Sequence, residues 1–249
     1  MLKSKHISVV IPAQNEQDAI GLVVKDLRNL LGEDGVTPLI DCIMVCDNGS
    51  TDNTVLCAEA EGATVVSQPI AGYGIACLTA LQKLPPTDII LFVDGDHSFY
   101  ADQAKSLIGA IANGADLAIG SRTLGKQEKG ALTPPQILGN ALASFLIRVL
   151  WGVPVTDLGP FRAIDARALD KINMQDKQFG WTVEMQVKAA QYGFRIEEYA
   201  VDTRRRIGVS KISGTLAGSY GAAKGILGKI FVLWLLQRMA PKKYSSTNI

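Results

Sequence analysis

Asp88-Ile89-Ile90-Leu91-Phe92-Val93-Asp94-Gly95-Asp96-His97-Ser98 is the stretch that decides how this chain is read. An apolar run from Ile89 to Val93 meets two carboxylates without a break. A short apolar run bounded by turn formers predicts a strand buried on both faces. In an open α/β sheet, ligands bind outside the carboxyl ends of such strands. In extended backbone, residues two apart point the same way, roughly 7 Å apart along the chain. Asp94 and Asp96 can therefore converge on one divalent cation, and Gly95 between them lets a ligand approach the backbone.

Working outward toward the N-terminus, Ile7 to Ile11 predicts a first strand, ended by Pro12, which cannot donate to a ladder. The loop Ala13-Gln14-Asn15-Glu16 leads to a helix over Asp18–Leu31, with Ile20, Val23, Val24, Leu27, Leu30 and Leu31 at helical spacing. Asp41–Cys46 predicts a second strand running into Asp47-Asn48-Gly49-Ser50-Thr51-Asp52. Thr51 or Asp52 can cap the next helix, from about Asn53 to Glu61. A third strand over Thr64–Val66 leads to Gly72-Tyr73-Gly74 and a helix through Leu81. Strands alternating with helix-length connections predict a parallel sheet with right-handed crossovers. The loops after strands one, two and four then share one sheet edge and bring Glu16, Asp47, Asp52, Asp94 and Asp96 to it. Acidic residues gathered like this hold a metal or bond ribose hydroxyls.

Toward the C-terminus, Asp102–Ala112 predicts a helix and Ala115–Ile119 a strand ending in Gly120-Ser121-Arg122. Arg122 also stands at a strand end, and its fork suits a diphosphate. Residues 123–135 are rich in Gly and Pro and read as a loop in a lid position. Residues 137–151 and 222–239 predict amphipathic helices. The second carries Trp234, Lys224, Lys229 and Arg238, and Lys242-Lys243 follows it. An apolar face, Trp and flanking Lys are what a helix lying in a lipid interface needs.

The totals exclude several classes. The 249 residues, 47% of them hydrophobic, are enough for a substantial core. A net charge of +1 argues against a general nucleic-acid binder. The charge is unevenly placed, because residues 203–249 carry Lys and Arg but no Asp or Glu. That basic block suggests a phosphate or a membrane surface as partner. Cys42, Cys46, Cys57 and Cys77 form no Cys-x-x-Cys pair, and His6 and His97 are the only histidines. The cysteines therefore read as reduced core residues of a cytoplasmic protein, with no disulfide set or zinc site. Met1–His6 runs straight into a strand, so no leader is expected. No stretch reaches the roughly 20 apolar residues of a transmembrane helix.

The order of Pro12-Ala13-Gln14-Asn15-Glu16, Asp47-Asn48-Gly49-Ser50-Thr51-Asp52, Asp94-Gly95-Asp96 and Gly120-Ser121-Arg122 resembles family 2 glycosyltransferases of the GT-A fold. Within them it looks like the dolichyl- and polyprenyl-phosphate hexosyltransferases. Asp157-Leu158-Gly159-Pro160-Phe161-Arg162 resembles their acceptor-side segment. Phe179–Val201, with Glu184 and Glu198, resembles the helix and strand that follow it. Arg206-Ile207-Gly208-Val209-Ser210-Lys211 resembles their basic loop. The resemblance implies one GT-A domain over 1–215, Rossmann-like with a mostly parallel sheet. Its nucleotide-sugar half is 1–122 and its acceptor half 123–215, and 216–249 forms the amphipathic basic tail.

By the same resemblance, Asp94 and Asp96 hold Mg²⁺ or Mn²⁺. Pro12, Ala13, Asn15, Glu16, Asp47, Gly72, Gly74 and Gly95 join Asp94 around the donor. Arg122 steadies the diphosphate, and Arg204, Arg206, Ser210 and Lys211 receive the acceptor phosphate. Three positions depart from the family pattern. Asn48 stands where a second Asp is frequent, Ser98 where several lipid-phosphate members have Gln, and Tyr73 where Lys or Leu is common.

The chemistry follows from the leaving group. A departing nucleoside diphosphate develops charge that a divalent ion neutralises. A phosphate acceptor is already ionised and needs only orientation, whereas a hydroxyl needs a general base. Two readings follow. In the first, the enzyme inverts a hexose from a UDP- or GDP-sugar onto a polyprenyl or dolichyl phosphate, peripheral on the inner face of the membrane. In the second, the same donor chemistry serves a soluble or glycan hydroxyl, with Asp157 or Glu184 as base. A nucleotidyltransferase would need a Gly-rich phosphate loop after the first strand, which Pro12–Glu16 is not. A non-catalytic scaffold would not need the five carboxylates. The oligomeric state is left open, a homo-oligomer included.

Overall fold

The computed structural model describes residues 5–208 and 216–239, with side chains of the last helix described from Lys224 onward. Its centre is β1 (Ile7–Ala13) beside β4 (Ile89–Phe92), parallel, with Val9 opposite Leu91. On the other side of β1 come β2 (Cys42–Asp47) and β3 (Thr64–Ser67), both parallel. Beyond β4 lie β6 (Arg162–Asp165), β5 (Leu117–Ser121) and β7 (Ile196–Ala200), so the seven-stranded order is β3-β2-β1-β4-β6-β5-β7. Only β6 runs antiparallel to its neighbours. The chain moves outward from β1 in one direction and returns to its other side at β4. That reversal opens a crevice at the carboxyl ends of both strands.

β1 does not stop at Pro12. It continues to Ala13, with Pro12 opposite Cys46. The backbone bond Val93 N–Val10 O shows that even-numbered β1 residues face β4. The ladder to β4 ends at Val10, so the missing Pro12 N–H faces no strand and costs no bond.

Helices cover both faces. On one side are α1 (Ile20–Arg28), α2 (Thr54–Ala60) and α4 (Ala104–Ala112), the last entered through a single 3₁₀ turn at Ala101–Gln103. Their buried Ile20, Val23, Leu27, Ala58, Leu107 and Ile108 pack on Val9, Ile11, Leu91 and Ala163. Each such large side chain contributes roughly 1.5–3 kcal/mol by leaving water. On the other side lie α3 (Tyr73–Leu81), α5 (Pro134–Trp151), α6 (Ala166–Ile172), α7 (Trp181–Gln191) and α8 (Leu216–Met239). Phe92, Ile119, Ile164 and Trp181 fill that layer.

α5 begins earlier than its apolar spacing predicts. Thr133 and Gln136 form a capping box, with Thr133 N donating to Gln136 Oε1 at 2.8 Å. Pro134 and Pro135 occupy the first helical turn, where an N–H has no intrahelical partner. The first part of the loop before it is anchored to the segment after β7. Lys126 N donates to Asp202 Oδ1 at 2.7 Å, and Gln127 bridges Thr203.

Among the described residues no helix is long and apolar enough to cross a membrane. All four cysteines are free thiols.

Candidate active site

Asp94, Gly95 and Asp96 follow β4 directly and open into a cleft of about 300 Å³. Pro12, Ala13, Gln14 and Glu16 from the end of β1 form its floor with Asn48. Gly72, Tyr73 and Ala76 line it together with Gln178, which packs against Gly72, and Phe179 and Arg206 complete the lining. The cleft therefore sits at the switch between β1 and β4.

The two carboxylates are held differently. Tyr73 donates its hydroxyl to Asp94 Oδ1 at 3.1 Å, and Ser98 N donates to Asp96 Oδ1 at 3.0 Å. Oδ2 of each is the oxygen left to face a cation. On Asp96 that oxygen lies 3.2 Å from Arg206 Nη1, while Arg206 Nη2 lies 3.0 Å from Glu16 Oε1. Burial and the neighbouring Asp96 push the Asp94 carboxyl up to about 7, against the opposing pull of Tyr73, Arg206 and Arg122. Ser98 thus acts through its backbone: its N–H orients Asp96, and its carbonyl accepts from Arg204 N at 3.0 Å.

A cage of protein ligands is absent. Among the described residues no group of three His, Cys, Asp or Glu is placed to hold an ion. Two carboxylates with open cleft around them fit a hard divalent ion that keeps waters and takes phosphate oxygens. They do not fit a fully enclosed structural metal.

Several predicted donor residues carry hydrogen bonds to the scaffold. Asn15 takes Thr51 N on Oδ1 at 2.7 Å and gives its own N–H to Ser50 Oγ at 2.9 Å. Asp47 lies beneath its loop and accepts from Ser50 N at 3.1 Å, while its neighbour Asn48 lines the cleft. Asn48 Nδ2 donates to the carbonyls of Gln68 and Ile70, and its Oδ1 accepts from Gly72 N at 2.8 Å. Asp52 caps α2 by accepting from Thr54 N, at 3.0 Å.

Gly72 and Gly74 are small because backbone passes over them. A Cβ on Gly72, whose φ is +154°, would collide with the Lys177 carbonyl, and one on Gly74 with the Asp176 carbonyl. Ile75 N donates to Lys177 O at 3.0 Å across the same seam.

Arg122 pairs with Asp157 rather than pointing freely at the cleft. Its Nε and Nη2 reach Oδ2 and Oδ1 at 2.8 and 2.7 Å. Burial acts to lower the Arg122 pKa, but Asp157 outweighs it and the net direction is upward. Both proposed bases already have partners. Asp157 is fully buried under Arg122, and Glu184, 2% exposed, accepts from Gln175 N and Asp176 N and lies 2.8 Å from Lys188 Nζ.

Arg204 is likewise occupied. Its Nε donates to His97 O at 2.7 Å, Nη2 donates to Phe99 O at 3.1 Å, and its plane covers the Tyr100 ring at 4.6 Å. Of the predicted acceptor cations, Arg206 alone among the described residues reaches the cleft; Ser210 and Lys211 lie outside the described residues.

Gln14, Phe179 and Arg162 fall inside the family-like motifs but received no role of their own from the sequence, and Gln178 received none. Arg162 is fully buried at the head of β6, donating to Gly159 O and Thr182 O. Burial lowers its pKa to about 10. No local pattern marks it, since a charged residue opening a short strand reads as solvent-facing.

A doubly covered sheet with an acidic pair at its switch point defines a nucleotide-using α/β enzyme. The family 2 profile of glycosyl transferases matches residues 8–172. An uncharacterized glycosyltransferase of Mycobacterium tuberculosis is 32% identical over 216 residues, covering 86% of this chain and 92% of its own length. The chain belongs to glycosyl transferase family 2, and it is an enzyme of that class.

A dolichyl-phosphate hexose transferase of Haloferax volcanii is 29% identical over 224 residues, covering 89% of this chain and 92% of its own. Among solved structures, glucosyl-3-phosphoglycerate synthase from Mycobacterium tuberculosis, in complex with Mn²⁺, UDP and phosphoglyceric acid, has a TM-score of 0.71 at 22% identity. It covers 93% of this chain and 79% of its own. That likeness bears on the fold, which is GT-A with one α/β sheet domain.

Proposed function

We propose that this enzyme moves a hexose, with inversion, from a nucleoside-diphosphate sugar to a polyprenyl or dolichyl phosphate at the cytoplasmic face of a membrane. The cleft between β1 and β4 takes the donor. Asp94 and Asp96 would hold Mg²⁺ or Mn²⁺, which supplies charge neutralisation to the departing diphosphate. Tyr73 and Ser98 N fix the two carboxylates, Asn48 and Gly72 shape the wall, and Arg206 adds a cation. The solved neighbour bound to Mn²⁺ and UDP, and the relative named for dolichyl phosphate, support the donor and acceptor halves of this reading.

One observation carries the acceptor. On α5, Leu138 and Phe145 are 72% and 60% exposed; on α8, Phe231 and Met239 are 59% and 74% exposed. The two helices pack together, with Trp151 Nε1 donating to Gln237 Oε1 at 2.6 Å. Neither helix carries an acidic residue, and Arg148, Lys224 and Arg238 supply only positive charge. An apolar, cationic face of this kind suits an anionic lipid interface. α8 also touches the cleft wall, because Lys229 Nζ lies 2.8 Å from Asp176 and Gly225 packs on Phe179. A lipid carried on that face would have its phosphate near the cleft. With Asp157 and Glu184 both committed elsewhere, an acceptor that needs no base is favoured.

The test is a transfer assay with UDP-, GDP- and dTDP-hexoses, Mg²⁺ or Mn²⁺, and two acceptors, polyprenyl phosphate and 3-phosphoglycerate. Transfer to the lipid, lost with chelator and in Asp96→Asn, is expected. Transfer to phosphoglycerate alone would overturn the acceptor, and chelator-resistant turnover would overturn the metal.

A further inference from the structure

Arg206 is set where a divalent ion would have to bind. The backbone after β7 runs antiparallel to the segment after β4: Arg204 N donates to Ser98 O and Ile207 N to Asp96 O, each at 3.0 Å. This short ladder delivers Arg206 directly over Asp96. Nη1 then lies 3.2 Å from Asp96 Oδ2, the oxygen not taken by Ser98 N, and Nη2 lies 3.0 Å from Glu16 Oε1. The remaining guanidinium nitrogen, Nε, is buried and has no hydrogen-bond partner among the described residues. A buried donor without a partner is costly, which argues that this pose is not the only one the side chain is built for.

We infer that Arg206 is an exchangeable counter-ion: it holds Asp96 and Glu16 in the empty site, and gives Asp96 up to a divalent ion once an anionic donor offers the guanidinium a new partner. The inference rests on the metal reading above and adds an order to it. Without a cation, Asp94 and Asp96 would repel one another across one cleft, and Arg206 relieves that repulsion. A metal ion and a guanidinium cannot both sit against Asp96 Oδ2 without strong like-charge repulsion. Metal alone must therefore work against Arg206. Metal with a diphosphate does not, because the phosphate oxygens accept from the released fork. Donor and metal then bind together, and an idle metal ion is kept out.

The test measures Mn²⁺ binding to the full chain by electron paramagnetic resonance of the free ion, with and without UDP, in wild type and Arg206→Gln. Wild type is expected to bind Mn²⁺ weakly alone and at least about tenfold more tightly with UDP. Arg206→Gln is expected to bind Mn²⁺ alone about tenfold more tightly than wild type, with most of the UDP enhancement gone. Its metal-free form should melt lower than wild type and recover on adding Mn²⁺, which shows that it folds. Equal or weaker Mn²⁺ binding by Arg206→Gln, beside normal binding by wild type with UDP, would overturn the exchange and leave the metal site standing. Absence of Mn²⁺ binding in every arm, matched by Asp96→Asn, would overturn both.

Discussion

Arg122 and Asp157 meet as a two-point ion pair, and the Arg122 backbone N–H adds a third bond to the same carboxylate at 2.7 Å. The Asp157 side chain is 1% exposed and the Arg122 side chain 18%. Removing one partner of a buried pair strands the other, at a cost of about 3–5 kcal/mol. Asp157→Asn should therefore lower unfolding free energy by about 3 kcal/mol in a urea titration. In the double variant Arg122→Gln with Asp157→Asn, the loss should be clearly less than the sum of the singles. Additive losses would mean that the pair is not a coupled unit.

Tyr73 is a departure from the family pattern whose side chain touches the acidic pair, through its bond to Asp94 Oδ1. Partners that orient a metal ligand typically carry about 10–100-fold in metal affinity. Tyr73→Phe keeps the ring and removes the bond. Mn²⁺ affinity measured with UDP should fall by about tenfold, while thermal stability changes little. Unchanged affinity would leave Tyr73 as a wall residue only.

Gly74 tests whether the cleft wall depends on close backbone packing. Ala at this position drives a methyl into the Asp176 carbonyl, which cannot retreat without shifting Gln178 and Phe179. Overpacking of this kind costs about 1–3 kcal/mol. Gly74→Ala should melt lower and raise the donor KM more than it lowers kcat. A stable variant with normal KM would show that the 175–178 segment moves freely.

The parts legible in the sequence are those that local pattern encodes. Ile89–Phe92 announces itself as a buried strand, and a strand end two residues later explains why Asp94 and Asp96 share the cleft. The helices and parallel strands before residue 98 follow from the alternation of apolar runs and polar loops. What local pattern does not carry is partnership at a distance. Arg122 looks free until β6 brings Asp157 beneath it, and Arg204 looks like a phosphate ligand until the carbonyls of His97 and Phe99 claim it. Gly72 and Gly74 read as donor-site residues, and the sequence does not show residues 176–177, folded onto them from another part of the chain. Even β6 escapes notice, because Arg162 masks a short buried strand.

Cys46 gives a pH prediction. Burial, with Asp47 adding to it, pushes its thiol up to about 12 from an ordinary 9.0. A group raised by folding contributes stability below its unfolded value, and that contribution is lost as pH climbs toward the folded value. The native state should therefore weaken from about pH 9 upward, and less steeply in Cys46→Ala than in wild type. Iodoacetamide at pH 8 should leave Cys46 unmodified in the folded protein and label it in urea, read by peptide mass spectrometry. Labelling in the folded state would mean that the sheet opens readily around β2.

The joint face of α5 and α8 is where the acceptor reading is most exposed to test. Exposed apolar side chains need no explanation singly, but so many on two packed helices that carry no acidic residue do. Phe145 and Phe231 stand on the two helices, more than half exposed, so replacing them disturbs little packing. Burying a Phe side chain is worth about 1.5–3 kcal/mol, so each replacement by Glu should weaken binding to anionic vesicles at least about tenfold. The double variant Phe145→Glu with Phe231→Glu should stay in the supernatant when phosphatidylglycerol vesicles are pelleted, while wild type sediments with them. It should keep wild-type affinity for Mn²⁺ with UDP, since the cleft between β1 and β4 is untouched. Transfer to vesicle-borne polyprenyl phosphate should fall, and transfer to a short-chain detergent-soluble analogue should survive. If the double variant still sediments with the vesicles, lipid is not what this face meets. If wild type proves to be a dimer and the variant a monomer, the face belongs to a second copy of the chain.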